Sequence, residues 1–151
     1  DAHPTLGNNA QLARHLGIAL REGPDHRFGE QSLGFLGLRS MASASALADH
    51  VALALGRPVT LVAEPDRPIE CVALCTGGAQ GYFESAIAAG ADVFITGEIS
   101  EPQAHYAREC GVAYIACGHH ASERYGAPAV AGHVAAELGL QHVFIDIPNP
   151  A

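Results

Sequence analysis

Basic residues are scarce in this chain. Lys and Arg together number 8 against 16 Asp and Glu in 151 residues, for a formal net charge of −8. Phosphate backbones are bound by clustered Lys and Arg, so eight scattered cations argue against a nucleic-acid binder. A nucleotide remains compatible where metal ions and backbone amides supply the positive field. No run approaches the ~20 apolar residues that a membrane span needs. The start, with Asp1 and His3 in place of a basic and then apolar run, does not read as a signal peptide. The four cysteines, Cys71, Cys75, Cys110 and Cys117, match no zinc-ribbon spacing. Cys71 and Cys75 sit at even separation in a strand-like run and so share one face. Buried free thiols in a reducing compartment are the expectation, which points to the cytoplasm. Low-complexity tracts and internal repeats are absent too, and nothing argues for disorder.

What is present suits one compact α/β domain. Apolar residues make up 48%, charged residues only 16%, and there are 17 glycines, as buried strands joined by many turns require. A short helix is expected from Asn8 or Asn9, as its cap, to His15, with Gly17 ending it. Residues 21–68 are weakly patterned: a turn at Gly23-Pro24-Asp25, a short strand over 34–38, and a helix opened by Ser43 or Ser45. That helix carries Leu47, Val51 and Leu55 on one face and closes at Gly56. A strand over 59–62 and a loop over 64–68 come next. From 69 to 147 strands and helices alternate. Strands are predicted near 69–75, 92–96, 112–117 and 142–147, and helices near 80–89, 102–110 and 122–138. Ser100 and Gln103 have capping-box spacing, and Gly111 stops the second of these helices. The alternation predicts βαβ units and a mainly parallel or mixed sheet flanked by helices. Strand C-terminal ends then gather at one edge, where open α/β sheets bind ligands. That edge collects Thr76-Gly77-Gly78, Gly97-Glu98 and Gly118-His119.

The string Gly118-His119-His120-Ala121-Ser122-Glu123-Arg124 carries the most chemistry. His119 and Glu123, four residues apart at a helix start, lie on one face, where an imidazole and a carboxylate can share a divalent cation. The plain alternative is a solvated or capping pair. Thr76-Gly77-Gly78-Ala79-Gln80-Gly81 lets the backbone approach a ligand closely. It lacks both the Gly-x-Gly-x-x-Gly spacing and a P-loop Lys, so a ligand-free turn fits it equally. Glu98, at the end of a buried-looking strand, suits either a proton acceptor or a carboxylate that orients a ligand histidine. A turn cap is its plain reading. His105 reads as a surface residue, His120 as a hydrogen-bonding neighbour, and His3 as an organiser of the first loop. His15, His26, His50, His133 and His142 read as surface or packing positions.

Several motifs together carry a family resemblance. They are Asp1-Ala2-His3-Pro4 with Leu6-Gly7-Asn8-Asn9, Thr76-Gly77-Gly78, Ile95-Thr96-Gly97-Glu98, His119-His120, and the tail Phe144-Ile145-Asp146-Ile147-Pro148-Asn149-Pro150-Ala151. In this order, over nearly the whole chain, they resemble the NIF-three-like dinuclear metal-centre hexameric proteins, the GTP cyclohydrolase I type II homologues. The resemblance implies that 1–151 is the C-terminal part of such a protein, without the upstream strand whose His-His-Gly motif supplies two ligand histidines. It also implies that Asp1, His119 and Glu123 are metal ligands, with two divalent ions per complete site. A mixed N/O set suits Zn, Fe, Mn, Co or Ni alike. The activity so implied is that of a metal-dependent hydrolase acting on a nucleotide-like substrate, in a homo-hexamer; Glu98, from its place at the strand end, is the catalytic candidate. The alternative is a non-catalytic metal-binding oligomeric scaffold. A dinucleotide-binding fragment rests only on the α/β rhythm and Gly77-Gly78.

Overall fold

A computed structural model describes residues 1–23 and 26–150. Pro24 and Asp25 of the predicted turn, and Ala151 of the tail, lie outside the described residues. In chain order the elements are α1 (Asn8–His15), β1 (Ala19–Leu20), β2 (Arg27–Phe28), β3 (Gly34–Met41), α2 (Ala44–Leu55), β4 (Thr60–Val62), β5 (Ile69–Leu74), α3 (Phe83–Ala88), β6 (Val93–Thr96), α4 (Glu101–Cys110), β7 (Ala113–Ala116), α5 (His119–Glu123) and α6 (Gly126–Leu138). The sheet is mixed. β5, β6 and β7 run parallel, while β3 joins β5, and β4 joins β7, antiparallel. The order is β1-β3-β5-β6-β7-β4, with β2 also on β3.

The parallel strands read as continuous apolar runs because both their faces are covered. On one face Val72, Leu74, Val93, Ile95 and Ile115 pack with Leu12 of α1 and Leu47 and Val51 of α2. On the other, Cys71, Ala73, Phe94 and Tyr114 pack with Phe83 of α3 and Ala107 of α4. There the Phe94 ring lies 5.8 Å from Phe83 and 5.5 Å from Tyr114. Cys71, Cys75 and Cys117 are buried free thiols and Cys110 is exposed. Burial pushes Cys75 up to about 11 and Cys117 up to about 12, so both are inert. Among the described residues no helix is long and apolar enough to cross a membrane.

Ser43 caps α2 by accepting the Ala46 N–H, and left-handed Gly56 closes it, as expected. Four expectations are corrected. Neither Asn8 nor Asn9 caps α1; Gly7 takes that place, and both asparagines tie distant segments together. Ser100 precedes α4 without a side-chain cap: the Gln103 N–H goes to the Ser100 backbone carbonyl, and the Gln103 amide reaches the carbonyl of Gln80. The predicted helix over 122–138 is two helices, broken at Arg124 and Tyr125. Residues 142–147 form no strand: β4 pairs with β7, the tail does not add to β4 at that end of the sheet, and Val143, Ile145 and Ile147 stay 83%, 74% and 69% exposed.

Candidate metal centre

The strand ends meet as the parallel topology requires. Gly97 N–H donates to Gly77 O at 2.9 Å, and Gly118 N–H donates to Gly97 O at 2.8 Å. These bonds lace the loops after β5, β6 and β7 into one floor. Ser122, fully buried on α5, locks that helix down: its hydroxyl accepts the Gly77 N–H at 2.9 Å and donates to His119 O at 2.9 Å. Gly97 is dictated by backbone space, and Gly77 by its left-handed backbone and by the Glu123 carboxylate that it faces. A Cβ on Gly97 would lie 2.7 Å from His119 Cα, and one on Gly77 would lie 2.2 Å from Glu123 Oε1, at a left-handed φ of +71°.

On this floor His119 is held from both sides. Its Nδ1 lies 2.6 Å from Glu98 Oε1, and its Nε2 lies 3.2 Å from Glu123 Oε2 across one turn of α5. The hydrogen bond with Glu98 raises the His119 pKa above its ordinary value, against partial desolvation, with the Glu123 charge adding. The same bond holds Glu98 below the usual carboxylate range. Gln80 Nε2 donates to the other Glu98 oxygen at 3.3 Å, and Tyr114 OH donates to the Glu98 backbone carbonyl at 2.7 Å. A cavity of about 530 Å³ opens beside the pair, its walls including His120, Arg124 and, from the tail, Phe144 and Asp146. Arg124 forms an ion pair with Asp146 there.

The structure therefore brings Glu98, His119 and Glu123 together. Asp1 is tied to them indirectly: its Oδ1 accepts from Asn8 Nδ2 at 2.7 Å, while Asn8 Oδ1 accepts the Gly126 N–H just beyond α5. Among the described residues no three His, Cys, Asp or Glu converge closely enough to hold a metal ion. The donor set nevertheless suits one. An imidazole and a carboxylate stand side by side, and a second carboxylate sits on the far ring nitrogen, the usual support of a ligand histidine. His3 organises the first loop through Nδ1, which accepts the Thr5 and Leu6 N–H groups, and exposed His105 pairs with Glu101. The Nε2 of His120 is buried and has no hydrogen-bond partner among the described residues. The structure adds Gln80, Tyr114 and Ser122 to the site. Only Ser122, a hydroxyl inside the His119–Glu123 turn, carried a local signal.

The family model described as Duf34/NIF3 (NGG1p interacting factor 3) matches residues 1–150. A protein of Neisseria meningitidis serogroup A named GTP cyclohydrolase 1 type 2 homolog is 50% identical over 152 residues, covering 100% of this chain and 59% of that protein. A protein of the same name from Pseudomonas aeruginosa is 49% identical, over 100% of this chain and 60% of its own length. Of solved structures, protein ybgI, described as of unknown function, superposes with a TM-score of 0.89 at 43% identity, over 100% of this chain and 60% of that one. TTHA1606 from Thermus thermophilus gives 0.76 at 29% identity, over 99% and 58%. This chain thus spans 59–60% of the curated relatives named here.

Proposed function

The chain belongs to the Duf34/NIF3 family, and from that premise we propose that Asp1, His119 and Glu123 contribute ligands to a divalent-metal centre that hydrolyses a nucleotide-like substrate. The observation that carries this reading is the two-sided hold on His119, with Glu98 on Nδ1 and Glu123 beside Nε2. An ionised Glu98 at 2.6 Å holds the proton on Nδ1, and a divalent ion between Nε2 and Glu123 would take the place of the proton those two groups share in its absence. Glu98 is thereby the orienting carboxylate, the second of the two chemical roles open to it from the sequence. When bound, a divalent ion supplies Lewis acidity and acidifies water. Gly77 leaves the space in which the Glu123 carboxylate reaches His119. The relatives' name, GTP cyclohydrolase 1 type 2 homolog, supports a purine nucleotide as substrate. Buried free thiols support a cytoplasmic setting.

Self-association, as a homo-hexamer, is part of the same proposal. Val130, Val134 and Leu138 lie along one face of α6 and are 47%, 44% and 67% exposed, an apolar row that assembly would cover. The same row favours a second reading, a metal-binding scaffold without turnover. Elemental analysis of protein purified without chelator, beside His119→Ala, tests the metal centre. About one or two ions per chain, lost in the variant, are expected. Protein free of metal in both forms overturns the proposal. Turnover of GTP by the metal-loaded protein, abolished in Asp1→Ala, separates the hydrolase from the scaffold.

A further inference from the structure

We propose that Gln80 is a positioning residue for His119, acting through Glu98; this rests on the metal-centre reading above. The two oxygens of the Glu98 carboxylate have divided duties. Oε1 faces His119 Nδ1 at 2.6 Å, and Oε2 accepts from Gln80 Nε2 at 3.3 Å. The Glu98 side chain is 44% exposed, so packing alone does not hold its plane. Without a donor at Oε2 the carboxylate is free to rotate and to exchange His119 for water. Gln80 is itself anchored. It opens a short 3-10 turn over Gln80–Tyr82, directly after the Thr76-Gly77-Gly78 loop, and its carbonyl accepts from Gln103 Nε2 of α4 at 3.2 Å. The backbone of Glu98 is pinned separately by Tyr114 OH.

The amide is oriented by chemistry. Its Nε2 faces a carboxylate oxygen, whereas the flipped amide would set its oxygen against Glu98, acceptor to acceptor. Among the described residues Gln80 Oε1 has no hydrogen-bond partner. Among the described residues the bond to Glu98 is therefore the one this amide makes. A relay runs from Gln103 of α4 to Gln80, Glu98, His119 and Glu123, so the state of the imidazole depends on a residue that touches neither the ring nor the metal position.

Gln80→Leu keeps nearly the same volume and removes the donor. The test compares wild type, Gln80→Leu and Gln80→Glu by nitrogen–proton correlation spectra of the His119 ring, recorded metal-free at alkaline pH. It adds zinc affinity by competition titration and thermal unfolding. Wild type is expected to show one tautomer, with the proton on Nδ1. Gln80→Leu is expected to show a mixture of tautomers and about tenfold weaker zinc binding at an unchanged unfolding temperature. Gln80→Glu sets a second carboxylate against Glu98, so a larger loss is expected, and its spectra decide the matter should the Leu variant not fold. A Gln80→Leu protein with wild-type tautomer and zinc affinity overturns the inference and leaves the metal centre standing. A wild type that binds no zinc, yet shows a tautomer that Gln80→Leu loses, overturns the metal centre and leaves the relay standing.

Discussion

Gly77→Ala separates the cost of a strained backbone from the cost of a disturbed site, and Gly56→Ala supplies the control. Gly77 has φ +71° and Gly56 has φ +66°, so an alanine at either position meets the left-handed penalty of about 1–2 kcal/mol. Their surroundings differ. A Cβ at Gly56 meets nothing within 4 Å, while one at Gly77 falls 2.2 Å from Glu123 Oε1 and 3.2 Å from His119 Nε2. The obstructing atom is the end of a flexible side chain, 31% exposed, so the carboxylate swings aside at little cost to folding. To regain ordinary contact it retreats by more than about 1 Å, which removes it from the His119 ring. Both variants should therefore lose about 1–2 kcal/mol in urea unfolding, or about 2–8 °C in melting temperature for a chain of this size. Zinc affinity should fall at least about tenfold, about 1.4 kcal/mol, in Gly77→Ala alone. Equal zinc affinity in the two variants would refute the claim that Gly77 serves the pair.

Three further outcomes are expected. The His119 contribution to metal-free stability, from a pKa raised chiefly by the Glu98 hydrogen bond, is complete below 6.5 and is lost as pH rises through the raised folded value. That of Glu98, lowered by the same bond, is complete above 4.5 and is lost as pH falls through the lowered folded value. Urea unfolding across pH should thus show their joint contribution greatest between 4.5 and 6.5, and His119→Ala should flatten it; an identical profile in the variant refutes the coupling. Asn9→Ala strips partners from the Thr76 N–H and the Leu33 carbonyl, each held at 2.8 Å by a fully buried side chain, and should cost about 2–4 kcal/mol in chemical denaturation. Phe94→Ala empties the centre of the aromatic cluster and should cost about 3–5 kcal/mol by the same assay, whereas a loss below about 1 kcal/mol would mean that the cluster collapses into the space.

What could be read in advance depends on the range of the interaction. Helix α2 was plain because its signals are local: Ser43 three residues before the N–H it binds, Leu47 and Val51 one turn apart, and Gly56 at the end. His119 and Glu123 were plain for the same reason, being neighbours on one helical turn. Glu98 is 21 residues from His119, yet it was reachable, because parallel strands deliver their C-terminal ends to one edge. Gln80 and Ser122 act across 18 and 45 residues, and Asn9 across 67. No local period marks a polar side chain whose partner lies in another loop.

Strand β3 was seen only at its start for a different reason. Its second half, Arg39-Ser40-Met41, is more exposed and largely polar and carries a register shift between Leu38 and Met41, so it shows no apolar strand pattern. The tail shows the converse. Apolar residues alternate through Val143, Ile145 and Ile147, but a strand needs an edge as well as a pattern. The place beside β7 is filled by three residues of β4, which come from the weakly patterned half of the chain, and the tail does not add to β4 beyond it. Pairing is a contest between segments, and a period of two shows which segments can compete without showing which one wins.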